Sequence, residues 1–195
     1  MANPTVNLRE LVFLVADANS YFCMIIHSML RSFGADKVIE VRDSLGVIQA
    51  LTGQKIDVML CDSKLPPNGG LKLTHAIRRN VKNENRTMPI MIMTGDTRTT
   101  TVRNARDVGA NMVIAKPISP ASLYDRLAWI AFNPRQFVDT ATYFGPDRRF
   151  KIEGYPNGVG RRRGDKVVEI GENTGPALSQ DEIDNLLNNA RTGND

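Results

Sequence analysis

The sequence is poor in cysteine and has no long apolar run. It holds two cysteines among 195 residues. Both Cys23 and Cys61 lie within apolar periodic segments, which favours buried reduced thiols over a disulfide. No stretch of about 18 consecutive apolar residues occurs, so no membrane insertion is predicted. A positively charged start followed by an apolar segment is also missing, so no secretory signal is predicted. These absences favour a soluble cytoplasmic protein.

Charge is unevenly distributed along the carboxyl-terminal part of the chain. The formal net charge is +4. Residues 145–166 carry an excess of four basic side chains, and residues 171–195 carry an excess of four acidic ones. The pattern predicts a basic patch followed by an acidic end, and not a generally basic protein.

Residues 8–132 alternate short apolar runs with amphipathic stretches. The runs predict buried strands and the stretches predict helices. Strands are predicted over 11–16, 38–41, 56–61, 90–94 and 112–115, and helices over 20–33, 44–52, 70–80, 99–108 and 119–132. This alternation predicts an α/β fold, a doubly wound parallel sheet of five strands covered by helices on both faces.

Apolar periodicity ends near Asn133, where Gly and Pro become frequent. Residues 133–177 are therefore predicted to be a flexible, largely disordered extension. Residues 178–191 are predicted to form an amphipathic helix, since Ser179 and Glu182 match a capping box. The apolar stripe of this helix consists of Ile183, Leu186, Leu187 and Ala190. A lone helix of about a dozen residues is marginal in water, so a binding surface is expected.

Four polar residues, Asp17, Asp62, Thr94 and Lys116, each follow a predicted strand. They should converge, because functional residues of parallel sheets gather beyond the carboxyl ends of the strands. Asp62 is the candidate nucleophile for a phosphoryl group, and Asp17 with Asp62 could hold Mg²⁺. Thr94 and Lys116 could stabilise phosphoryl oxygens. Beside Asp17 stands Ala18, which offers no second carboxylate.

These residues resemble the CheY-like receiver domain of two-component response regulators. The matching segments are 15–17, 60–66, 94–95, 109–110 and 116–117, together with Gly70. The resemblance implies a flavodoxin-like strand order of 2-1-3-4-5 over residues 8–132. It also implies that Asp62 is the phosphoacceptor and that a histidine kinase is the donor.

Two positions depart from the receiver pattern. Receivers usually carry two adjacent acidic residues after the first strand, and Ala18 stands in place of the second. This substitution predicts a weakened Mg²⁺ site. Receivers that switch by rotating an aromatic side chain carry Tyr or Phe where this chain has Val113. The departures favour a loss or weakening of phosphorylation and a shift of control to the tail.

Two similar units follow residue 140, at 143–149 and 155–165. Each unit combines an aromatic residue, Gly or Pro turns and clustered arginines, whose planar forks pair with phosphate or with guanine. The candidate ligand residues are Tyr143, Asp147, Arg148, Arg149, Tyr155, Arg161, Arg162, Arg163 and Asp165. Interspersed acids and the preference for Arg over Lys favour a small anionic guanine nucleotide over nucleic acid. A solvated linker with incidental charge is the alternative.

A receiver with such a tail resembles the Cle group, CheY-like effectors of cyclic di-GMP. The resemblance implies that the tail binds cyclic di-GMP and that the loaded protein acts on the flagellar motor, with recruitment to the flagellar pole. Residues 178–187 resemble the amino-terminal peptide of the flagellar switch protein FliM, for a contact in cis or in trans. The alternatives are a regulator switched by phosphorylation with a passive tail, and a nucleic-acid-binding regulator. None of these is an enzyme with turnover.

Overall fold

The structure is a computed structural model that describes residues 6–148. Five strands alternate with five helices, and a short 3-10 helix, Glu84–Thr87, precedes the fourth strand. The elements are β1 Val12–Ala16, α1 Ser20–Ser32, β2 Lys37–Val41, α2 Ser44–Gly53, β3 Val58–Asp62, α3 Gly70–Arg79, β4 Ile90–Thr94, α4 Thr99–Asp107, β5 Met112–Ala115 and α5 Pro120–Phe132. Each strand and helix predicted over residues 8–132 is present, with ends within two residues of those expected.

The five strands form one parallel sheet in the order β2-β1-β3-β4-β5, which confirms the predicted fold. The three inner strands have neighbours on both sides and are almost wholly buried, which accounts for their continuous apolar sequences. Register places Asp62 opposite Met93 and Thr94 opposite Ala115. The carboxyl ends of β3, β4 and β5 therefore meet at one edge.

Polar side chains cap three of the helices that leave this edge. Asp43 accepts a hydrogen bond from the Gly46 N–H at the start of α2, and Ser119 caps α5 in the same way. In α1 the cap is Asn19, whose side chain accepts from two backbone N–H groups of the first turn, and Ser20 is the first helical residue. Asx and Ser caps satisfy donors that have no partner within the helix.

Regular structure continues past Asn133, so the prediction of disorder from that point is wrong for part of the chain. Strands β6 Phe137–Asp139 and β7 Phe144–Pro146 pair in antiparallel fashion as a hairpin. Arginines of the sheet domain stabilise it: Arg78 lies 5.0 Å from the ring centre of Phe137 and Arg86 3.5 Å from that of Phe144. Strands of three residues are too short to show a period, and their partners are distant in sequence.

The hairpin docks at the edge of the sheet opposite the carboxyl ends. The buried guanidinium of Arg78 donates to the carbonyl of Gly109, which follows α4, and to the side chain of Asn111, which precedes β5. Gly109 has a φ of 94°, and a Cβ there would stand 2.8 Å from the Phe144 carbonyl oxygen. The backbone of the hairpin therefore approaches the end of α4 as closely as only glycine permits.

The second arginine unit and the predicted terminal helix at 178–191 lie outside the described residues. The same holds for the following ligand candidates: Arg149, Tyr155, Arg161, Arg162, Arg163 and Asp165. Within residues 6–148, none of the helices has both the length and the apolar character needed to cross a bilayer.

Candidate functional site

Three of the four predicted site residues join directly through their side chains. The Lys116 ammonium lies 2.5 Å from Asp17 Oδ2 and 2.7 Å from Asp62 Oδ1. A Lys116–Pro117 cis peptide follows β5. Asp17 and Asp62 end neighbouring strands, so one cation from a third strand end can bridge both carboxylates. The formal charges of these three side chains sum to one negative unit, so the cluster attracts a further cation.

The oxygen of each carboxylate that does not contact Lys116 accepts a hydrogen bond from the backbone. Asp17 Oδ1 accepts from the Asn19 N–H at 2.9 Å, and Asp62 Oδ2 accepts from the Lys64 N–H at 2.8 Å. Asp17 is almost completely buried, with 3 % of its surface exposed. Both carboxylates are thus oriented before any ligand arrives.

The Lys116 ammonium is kept charged by its two carboxylate partners. Burial lowers the pKa of Lys116, but the hydrogen bonds from its ammonium to Asp17 and Asp62 outweigh that effect, and the net pKa is raised. The ring of Phe22, from the first turn of α1, lies 4.1 Å from the Nζ atom. Aromatic faces attract cations, so Phe22 adds a third contact that the sequence did not reveal.

The loop after β3 is tightly folded around the Asp62 backbone. A Cβ at Gly70 would overlap the Asp62 carbonyl oxygen, and Gly69 has a φ of 86°. The Gly70 N–H donates to the Ser63 carbonyl at 2.9 Å. The match at Gly70 noted in the sequence thus has a steric cause.

Thr94 is the last residue of β4 and is joined to the end of β3 through Ser63. Its side chain is fully buried, and its Oγ1 accepts from Ser63 Oγ and from the Asp96 N–H, both at 3.0 Å. The Lys116 N–H donates to the Thr94 carbonyl at 2.8 Å. Sequence analysis missed Ser63 as a site residue, although it directly follows Asp62.

Asp96 connects Thr94 to the start of α4. Its carboxylate accepts from the Arg98 guanidinium at 2.6 and 2.8 Å and from the Thr101 hydroxyl at 3.0 Å. The hydrogen bonds from Arg98 hold the pKa of Asp96 well below its ordinary value. On the neighbouring strand, Val113 is buried, so the aliphatic residue that departs from the receiver pattern packs in the core.

The donor set meets the lower limit for Mg²⁺. Within residues 6–148, no group of three His, Cys, Asp or Glu side chains could hold a metal ion. Mg²⁺ is commonly bound through one or two carboxylates with several retained waters, and Asp17 and Asp62 supply two. Ala18 supplies no oxygen from its exposed side chain. The pair fits a magnesium ion, with Lys116 as the cation that it must displace or accompany.

The described ligand candidates of the tail lie at the opposite edge of the sheet. Arg148 lies 3.8 Å from the ring centre of Tyr143 and 2.9 Å from Asp107 at the end of α4. The Tyr143 hydroxyl donates to the Pro146 carbonyl, and the Asp147 N–H donates to the Gln136 carbonyl at 2.7 Å. The first arginine unit is therefore engaged with the receiver portion of the chain.

Comparisons with known proteins show the family to which the domain is similar. A model of the response regulator receiver domain matches residues 13–128. The sensory/regulatory protein RpfC of Xanthomonas campestris is 28% identical over 135 residues, which are 69% of this chain and 18% of that protein. The autoinducer 2 sensor kinase/phosphatase LuxQ of Vibrio harveyi is 30% identical over 67% of this chain and 15% of its own length. The chain spans less than a fifth of these curated relatives.

Solved structures share the same architecture. The receiver domain of the sensor histidine kinase PA1611 of Pseudomonas aeruginosa, crystallised with magnesium in its active-site cleft, is 30% identical with a TM-score of 0.54. The match covers 62% of this chain and 96% of that one. Chemotaxis protein CheY4 of Vibrio cholerae, at 21% identity and a TM-score of 0.56 over 61% and 97% of the two chains, shares the fold. The family match, the sheet order and the carboxylate–lysine cluster together place the chain in the response regulator receiver domain family.

Proposed function

We propose that this chain is a signalling receiver whose Asp62 accepts a phosphoryl group from a sensor histidine kinase. The observation that carries the proposal is the Lys116 ammonium between Asp17 and Asp62, at 2.5 and 2.7 Å. Relatives named as sensor kinases, LuxQ and CqsS, support the class of donor. In this proposal the chain is not an enzyme, since Asp62 takes up a phosphoryl group without turnover on an external substrate.

The proposed transfer uses the side chains that the carboxyl ends of the strands bring together. An Asp62 carboxylate oxygen bonds to phosphorus while the bond from phosphorus to the donor histidine nitrogen breaks, and the electron pair leaves with the imidazole. Lys116 exchanges its contact with Asp62 for a phosphoryl oxygen, and Thr94 donates its hydroxyl proton to another. Mg²⁺ held by Asp17 and Asp62 would offset charge on the phosphoryl oxygens.

Acetyl phosphate with Mg²⁺ tests this function without a kinase. Intact-mass measurement should show the gain of one phosphoryl group on the wild-type protein and no gain on Asp62→Asn. Asp36→Asn is the matched control, because Asp36 is a half-exposed surface carboxylate paired with arginines. Equal phosphorylation of Asp62→Asn and wild type would contradict the assignment.

We further propose, as a second candidate function, that the tail binds cyclic di-GMP and that the bound form acts on flagellar switch proteins to control motility or surface attachment. One observation favours it: the Arg148 guanidinium stacks 3.8 Å from the ring centre of Tyr143. Planar arginine on an aromatic ring is a surface on which a guanine base can stack. In this proposal, the arginines at 161–163 are further candidates for contacts with the phosphates.

Calorimetry with cyclic di-GMP on the full chain tests the second candidate. Replacing Arg162 with Ala should weaken binding by about 1–3 kcal/mol, the usual value of a bidentate arginine contact. Replacing Arg9 with Ala, a surface arginine paired with Asp36, serves as the control. Absence of heat from the full chain would rule out the ligand and leave the tail as a linker.

A further inference from the structure

The Thr94 hydroxyl accepts two hydrogen bonds and donates one long one. A hydroxyl group offers one donor and two acceptor positions. In Thr94 the two acceptor positions are used by the Ser63 hydroxyl and the Asp96 N–H, both at 3.0 Å. The donor position faces the Asp96 carbonyl at 3.3 Å, which is a long hydrogen bond. The Thr94 hydroxyl can therefore exchange this long hydrogen bond for one to a new acceptor, while the two bonds that it accepts are kept.

The backbone of Ser63 is held by two hydrogen bonds. Its N–H donates to the Met93 carbonyl at 2.9 Å, which extends the pairing of β3 with β4 by one residue. Its carbonyl accepts from the Gly70 N–H at 2.9 Å. The preceding residue is Asp62, the last residue of β3. The backbone thus presents the Ser63 hydroxyl to Thr94 before any phosphoryl group is present.

We infer that Ser63 is a positioning residue, which fixes the Thr94 hydroxyl as a donor toward the phosphoryl group on Asp62. A phosphoryl oxygen can only accept from this hydroxyl. The hydrogen bonds from Ser63 and the Asp96 N–H fill both acceptor positions of Thr94, so they fix the direction in which its proton points. Hydrogen bonds accepted by a hydroxyl also strengthen the one it donates. This inference rests on the proposed phosphoryl transfer to Asp62. In that reaction Ser63 acts through Thr94, without direct contact with the phosphoryl donor.

Beryllofluoride, a stable mimic of the phosphoryl group, provides the test on the full chain. Titration in the presence of Mg²⁺, followed by the amide NMR signals of Thr94 and Asp96, measures its affinity for the wild type. Ser63→Ala should weaken beryllofluoride binding about three- to tenfold, the effect of losing one neutral hydrogen bond. Ser63→Thr retains the hydroxyl and should restore an affinity close to that of the wild type.

Two controls separate positioning from a general effect on the fold. Mg²⁺ titrated without beryllofluoride should bind Ser63→Ala and wild type equally, because the Ser63 hydroxyl donates to Thr94 and not to either carboxylate. Ser28→Ala removes a surface hydroxyl that bonds only within α1, and should leave both affinities unchanged.

The outcomes distinguish the inference from the function on which it rests. Wild-type affinity for beryllofluoride in Ser63→Ala, or equal weakening in Ser63→Thr, would overturn the role of Ser63 while phosphoryl transfer stands. Parallel loss of Mg²⁺ binding in Ser63→Ala would show a structural effect and overturn it as well. A wild-type protein that takes up neither beryllofluoride nor phosphoryl groups would overturn the proposed function, and the role of Ser63 with it.

Discussion

At the carboxyl ends of the strands, single residues each contact two neighbours. Lys116 bridges two carboxylates, and Thr94 joins Ser63 to Asp96. The convergence of the four strand-end residues follows from the topology of a parallel sheet and could be predicted. The pairing of Ser63 with Thr94 could not, because it depends on the register that sets Asp62 against Met93. Sequence spacing does not reveal such a register.

Asp96 gives a prediction at this scale. Its pKa is depressed in the folded protein by Arg98 and Thr101. A depressed folded-state pKa contributes stability that is present above the unfolded pKa of about 3.9 and is lost as the pH falls through the folded value. The free energy of unfolding should therefore decrease below about pH 4. Urea unfolding should be measured from about pH 6 to about pH 3. Over this range the free energy of unfolding should decrease less for Asp96→Asn than for the wild type.

Arg98→Gln supplies the companion measurement. It removes the partner that contributes most to the depressed pKa, so its pH dependence should flatten in the same sense as that of Asp96→Asn. A wild-type slope in both variants would show that the Asp96 cluster does not contribute to stability in acid.

Whole elements differ in how far the sequence determines them. The apolar runs of β1, β3 and β4 predict buried strands because such runs have few other stable environments. The hairpin of β6 and β7 escapes prediction, since its stability comes from Arg78 and Arg86 of other elements. Burial lowers the pKa of Arg78 to about 9, so this arginine stays charged at neutral pH against the ring of Phe137.

Gly145→Ala tests the packing of the hairpin. A Cβ at this position would stand 2.8 Å from the Gly109 Cα and 2.5 Å from the Tyr143 hydroxyl oxygen. Backbone atoms cannot move aside cheaply, so the free energy of unfolding should fall by about 1–3 kcal/mol in urea titration. Gly53→Ala is the control: at the last residue of α2, its Cβ would meet no atom within 4 Å. That variant should be neutral or slightly more stable, and equal losses would contradict the packing.

At the scale of the whole molecule, the receiver fold does not end with α5. Residues 137–148 contact the ends of α3 and α4 through Arg79, Asp107 and Gly109. The folded unit therefore includes a segment that sequence periodicity assigns to the tail. Sequence periodicity does not reveal this segment, because aromatic and arginine contacts across the chain replace the apolar period.

Truncation tests where the folded unit ends. A chain that ends at residue 148 retains every described contact and should unfold at the wild-type temperature. A chain that ends at residue 132 loses the contacts of Phe137 and Phe144 with Arg78 and Arg86. Its Tm should fall by several degrees, on the order of 2–4 °C per kcal/mol lost. Differential scanning calorimetry of both chains decides, and equal melting temperatures would place the boundary at α5.

The docking of the hairpin at the edge remote from Asp62 has a consequence for signal integration. Under the two proposed functions, a kinase would approach the edge that holds Asp62, and a nucleotide would approach the Tyr143–Arg148 stack at the opposite edge. Neither occupant would then block the other, so one molecule could respond to both. The two proposals are therefore compatible within a single chain.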